Sequence, residues 1–117
     1  MPYMLLIVEP AGQRAQRSEA QGRELYDVML RFADMLKERG LLIDAQSLRS
    51  DAEGVRVQVR GGKPNYIDGP FAETKEIVGG FFLLDCEERA VALELAAECP
   101  AAEWATVEVR ALGPCFT

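Results

Sequence analysis

Residues 77–84 read IVGGFFLL, six apolar side chains around a pair of glycines. The run has strand length and carries apolar groups on both faces, so it predicts a strand inside a sheet. Gly79 and Gly80 within it predict a bulge, or close approach by another backbone or a ligand. Tyr3 to Val8, YMLLIV, has the same two-faced character and predicts a second central strand. Downstream, Asp85-Cys86-Glu87-Glu88 fits a D-x-x-E helix start, with Asp85 accepting from free backbone N–H groups. The helix is expected to run through Val91, Leu93 and Leu95 to Cys99, where Pro100 stops it. Trp104 to Leu112 then alternates apolar and polar residues, the period of a half-buried strand.

Upstream of the quoted run, Val55, Val57 and Val59 alternate with Arg56, Gln58 and Arg60. That period of two predicts a strand with one buried and one polar face. Gly61-Gly62 turns the chain, and Asn65 to Ile67 pairs back as a hairpin arm. Between Arg23 and Gly40 the period changes. Leu25, Met29, Phe32 and Leu36 share one helical face, with charged residues opposite and Gly40 as the terminator. Leu41 to Leu48 follows as a strand, whereas the polar Glu9 to Gly22 reads as a loop or a frayed helix start. The order is βαββαβ with an inserted hairpin, an α+β, ferredoxin-like arrangement in one domain spanning residues 1–117. Two helices cover one face of such a sheet. The two-faced strands demand a cover for the other, either a second copy in a symmetric dimer or an apolar ligand cavity, or both.

Net charge is −6, which argues against direct nucleic-acid binding because that needs a basic face. Arg56, Arg60 and Lys63 lie close together, but three cations make a weak case for phosphate contacts. No apolar run approaches the roughly 18 residues of a membrane span. Met1 to Val8 lacks the basic and small-residue flanks of a signal peptide, so the expected home is the cytoplasm. There Cys86, Cys99 and Cys115 stay as thiols, with Cys86 and Cys99 read as packing residues. They form no short metal-ligand spacing, and neither a metal nor a cofactor is expected. The chain has no histidine. Ser-His and Cys-His mechanisms are therefore excluded, leaving carboxylate, lysine, tyrosine or cysteine for any proton transfer.

IDGPFAETKE, residues 67–76, separates the hairpin from the quoted strand. Asp68, Gly69 and Pro70 have strong turn chemistry, and Phe71 is a natural anchor into the core. Glu73, Thr74, Lys75 and Glu76 then crowd polar groups onto a rigid loop, where sites are commonly built. Read alone, the stretch is either a stiff turn or a site in which Asp68 acts as acid or base and Lys75 meets an anion.

DGPFAETKE followed by IVGGFFLLD resembles the signature of the YCII-related domain family, in its DGPF subgroup. YMLLIV, the helix ending at Gly40, VRVQVRGG, AAECPAA and VEVR extend the likeness over essentially the whole chain. The resemblance implies a dimeric α+β barrel, a homodimer, and a bacterial cytoplasmic protein. Family members often occur beside extracytoplasmic-function sigma factors. That implies two functional expectations: a small-molecule binder or enzyme with its site at the loop, or a regulatory module with a sigma-factor partner. Wider relatives are suspected of chemistry using a histidine and an aspartate. Asp68 carries over as the catalytic candidate, and the histidine has no counterpart here. Gly69, Pro70, Phe71, Glu73, Thr74, Lys75 and Glu76 carry over as ligand-binding candidates. Where many members are glycine-rich after the first helix, this chain reads LLIDAQSL.

Overall fold

A computed structural model describes residues 2–116; Met1, at the head of the opening apolar run, lies outside them. The strands are β1 (Tyr3–Pro10), β2 (Leu42–Ser47), β3 (Val55–Arg60), β4 (Lys63–Asp68), β5 (Glu76–Leu84) and β6 (Thr106–Ala111), and the helices are α1 (Glu19–Glu38) and α2 (Arg89–Glu98). β2, β5, β1 and β6 form one antiparallel sheet in that order, with the two-faced strands β5 and β1 at its centre. This is the ferredoxin-like α+β arrangement. β3 and β4 form a separate hairpin.

Alternation decides which side chains reach the helices. Leu5 and Ile7 of β1 and Phe82 and Leu84 of β5 face the helix layer and meet Phe32, Leu36 and Leu95 there. The Phe32 and Phe82 rings meet edge to face, with centroids 5.2 Å apart, a geometry worth about 0.5–1.5 kcal/mol beyond burial. Met4, Leu6, Val8, Val78, Phe81 and Leu83 point to the opposite face, which no helix covers.

α1 begins four residues before the apolar periodicity suggests. Ser18 accepts from the Gln21 N–H while the Gln21 side chain accepts from the Ser18 N–H, a capping box hidden in a polar stretch. The helix ends as its sequence predicts. Gly40 has φ +70°, and the Leu41 and Gly40 N–H groups donate to the Leu36 and Lys37 carbonyls, closing the last turn. At α2 the expected start is corrected. Glu88, not Asp85, is the N-cap, without a side-chain hydrogen bond. The Asp85 N–H instead donates to the Leu41 carbonyl, which continues the β2–β5 pairing and delays the helix.

The hairpin also departs from expectation. Gly61 and Gly62 both adopt positive φ, as a tight two-residue turn requires. Yet all its strand residues are exposed, including Val55, Val57, Val59 and Tyr66, so its valine face is not buried within one chain. The arm extends the molecule: the radius of gyration is 16.0 Å, against about 13 Å for a compact chain of this length.

Candidate functional site

Only the second half of α1 packs tightly; its buried residues are Phe32 and Leu36. The turns before Phe32 stand off the sheet and leave a cleft of about 630 Å³, lined on the helix side by residues between Ser18 and Ala33. Its apolar walls come from Ile7 and Phe82 below, Leu25, Met29 and Leu30 on the helix, and Trp104 at the end. A cleft of this size suits a small organic molecule.

One end of the cleft is polar because β5 bulges there. Ile7 pairs with Gly80, but Val8 pairs with Val78, so Gly79 is the extra residue. Both readings of the glycine pair hold at once, since another group also comes close. A Cβ on Gly79 would collide with Glu9 Oε1 and lie 2.8 Å from Arg14 Nη2. Gly80 is likewise bare where the Gln46 carbonyl of β2 passes, 2.7 Å from the position of a Cβ.

Into the space above Gly79 fit Glu9, only 5% exposed, and Arg14, whose Nη2 lies 2.7 Å from Glu9 Oε1. Arg14 also donates to the Leu48 carbonyl at 2.7 Å and the Gly79 carbonyl at 3.2 Å. Its guanidinium is thus held by three oxygens, and it neutralises a carboxylate that burial would otherwise penalise heavily. Contact between Arg14 and Glu9 is ionic rather than aligned, so Glu9 Oε1 receives no hydrogen bond among the described residues. Glu19 and Arg23 form a second pair at the cleft, 2.8 Å apart. Arg17 lines the cleft with no carboxylate partner among the described residues. With no histidine in the chain, the carboxylates Glu9 and Glu19 are the proton acceptors available at these walls.

None of the loop residues singled out from the sequence lines this cleft: Asp68, Gly69, Pro70, Phe71, Glu73, Thr74, Lys75 and Glu76 stand outside it. Asp68 ends β4 opposite Val55, exposed. The loop is instead clamped to the short helical turn Asp51–Glu53. Gly69 N–H donates to the Gly54 carbonyl at 2.8 Å, and Phe71 N–H reaches Asp51 Oδ2 at 3.4 Å. Gly69 must lack a side chain because a Cβ would strike the Asp51 carbonyl. The Gly69–Pro70 bond is cis. Arg56 lies 3.9 Å above the Phe71 ring and donates to Thr74 Oγ1. Loop and cleft meet where Ala11 N–H donates to the Lys75 carbonyl and Pro10 pairs with Glu76, just before Arg14 and just before the bulge.

Glu9, Arg14, Arg17 and Asp51 were not singled out from the sequence. The signal that pointed toward Glu9 and Arg14 was the glycine pair, which implied a close approach without naming what approaches. The cysteines take no part. Burial pushes the Cys86 thiol up, helped by the charges of Asp85 and Glu88. Burial also raises Cys99, against a smaller lowering by a hydrogen bond from the Ala101 backbone. Cys115 is exposed. Among the described residues no cluster of histidine, cysteine, aspartate or glutamate could hold a metal ion. Among the described residues no helix is long and apolar enough to cross a membrane.

A comparison with curated proteins returns no match. The sequence model of the YCII-related domain matches residues 1–115. With the antiparallel β2-β5-β1-β6 sheet under two helices, the chain belongs to the YCII-related domain family.

Proposed function

We propose that the chain binds a small, partly apolar molecule in the cleft between α1 and the sheet. The observation that supports this best is the cleft itself, about 630 Å³ between α1 and the sheet, with apolar walls and a polar end at the Glu9–Arg14 pair. The bulge at Gly79 is a local disruption of the ladder, and bulges are over-represented next to active sites as well as at sheet edges and barrel rims. The DGPF loop serves the cleft by fixing the start of β5 rather than by lining it.

Gly22 provides the test. It lies on the cleft wall, and a Cβ there meets nothing within 4 Å. Gly22→Phe is therefore expected to obstruct the cleft while leaving the core intact. In a thermal-shift screen of metabolites, a ligand at about 100 times its Kd stabilises by roughly 2.7 kcal/mol. Hits lost in Gly22→Phe, with the melting temperature of the free protein unchanged, would support the reading. Hits that survive the plug would place binding elsewhere and refute it.

A homodimer belongs to the same proposal. The uncovered sheet face carries Met4, Leu6, Val8, Val78, Phe81 and Leu83, and a second copy of the same face is self-complementary under two-fold symmetry. Val78 is 45% exposed there. Val78→Asp should yield monomers in sedimentation-velocity runs with unaltered circular dichroism. A wild-type chain that sediments as a monomer at micromolar concentration would end this part of the proposal.

A further inference from the structure

The cleft's charge balance goes one step further and names a ligand class; this step rests on the cleft being the site. Three arginines line it. Glu9 neutralises Arg14, which also donates to two backbone carbonyls. Glu19 neutralises Arg23. Only Arg17 among the three has neither a carboxylate nor a side-chain hydrogen bond in the described residues. The cleft walls thus hold one uncompensated cation in a chain whose net charge is −6. Arg17 is half-buried. A molecule filling the cleft would strip more water from its guanidinium, and an ion so desolvated is costly unless it gains a partner. A neutral ligand leaves that cost unmet, and a cationic one adds repulsion. A carboxylate meets it with a charge-assisted, bidentate pair. Leu25 and Tyr26, on the turn of α1 that follows Arg23, and Met29 and Leu30 on the next turn, continue the wall as apolar surface.

We infer that the cleft takes a monoanionic amphiphile, a single carboxylate on an aromatic or short aliphatic body, with Arg17 as the anchor of its charge. Shape-matched probes test this: 3-phenylpropionate and the uncharged 3-phenylpropanol, titrated into 15N-labelled protein and read at the amides of Gly22, Gly79 and Gly80. The acid is expected to shift these amides and to bind about tenfold or more tightly than the alcohol. Arg17→Gln should lower the acid to the affinity of the alcohol and leave the alcohol unchanged, and Arg17→Lys should restore part of the preference. The Arg17 side chain has no ion pair or hydrogen bond among the described residues, so neither variant is expected to unfold. Equal binding of acid and alcohol, or a preference that survives Arg17→Gln, overturns the anchor while the cleft remains a site. No shift of the cleft amides with either probe at millimolar concentration overturns both.

Discussion

Gly79→Ala adds one methyl group at the point where the buried ion pair touches the sheet. The new Cβ would overlap Glu9 Oε1 and sit 2.8 Å from Arg14 Nη2. Side-chain ends can usually swing aside at little cost, but these two are held. Glu9 is 5% exposed, and Arg14 is tied to Leu48 as well as to Gly79. Moving either one separates the pair inside the protein. Breaking a fully buried pair costs about 3–5 kcal/mol. The Arg14 side chain is 34% exposed, and water can meet part of its charge, so the expected loss is about 1–3 kcal/mol. For a chain of this length that lowers the melting temperature by roughly 4–12 °C. Urea denaturation at pH 7 should show a lower midpoint with an unchanged slope. The cause is checked in a second background: with Glu9→Ala and Arg14→Ala already present, the atoms that obstruct the methyl group are gone. The penalty of Gly79→Ala should then fall by more than half, a direct coupling between contacting residues. A melting temperature that is unchanged in the first background, or an equal penalty in both, would refute the reasoning.

The other expectations concern distinct parts of the molecule. Gly22→Ala has open space and lies within α1, so it should stabilise the chain by about 0.5–1 kcal/mol through helix propensity, read as a higher urea midpoint. Phe71→Ala removes the ring beneath Arg56 and should cost about 1–2 kcal/mol, with faster amide exchange at Gly69 and Thr74 than at Leu5. A thiol reagent at pH 7.5 should modify Cys115 alone in the folded protein, and all three cysteines after unfolding. Cys86 and Cys99 titrate above the ordinary thiol value of 9.0 when folded. Above that pH the unfolded chain loses protons the folded chain keeps, so stability should fall as pH rises from 9. Cys99→Ala, one fewer such group, should flatten that decline.

Much of the fold was readable because burial leaves a period. The two-faced runs at Tyr3–Val8 and Ile77–Leu84 became the central strands β1 and β5, and the 3.6-residue pattern to Leu36 became α1. What periodicity missed was set by long-range geometry. The α1 start is a reciprocal Ser18–Gln21 cap that contributes no apolar residue. The α2 start moved because Asp85 was taken by a bond to Leu41, distant in sequence. Glu9 looked like the first residue of a loop, yet it lies on β1 on the same face as Leu5 and Ile7 and is buried there against Gly79 with Arg14 as its ion-pair partner. A cleft made where a helix stands away from a sheet leaves no local pattern at all. The DGPF loop was conspicuous because its turn chemistry is local, and local chemistry is what a single sequence displays best.

The exposed hairpin has a consequence for handling the protein. VRVQVR is rich in β-branched residues and, among the described residues, pairs only with β4, which leaves its other edge without a strand, the setting in which chains add strand to strand and form fibrils. Arg56 and Arg60 interrupt the valines, and Lys63 and Pro64 guard the return strand. These are gatekeepers against self-templating. Conditions that screen or remove their charge, such as high salt or Arg60→Val, should shorten the lag before thioflavin-positive aggregates form, even where the folded core is untouched.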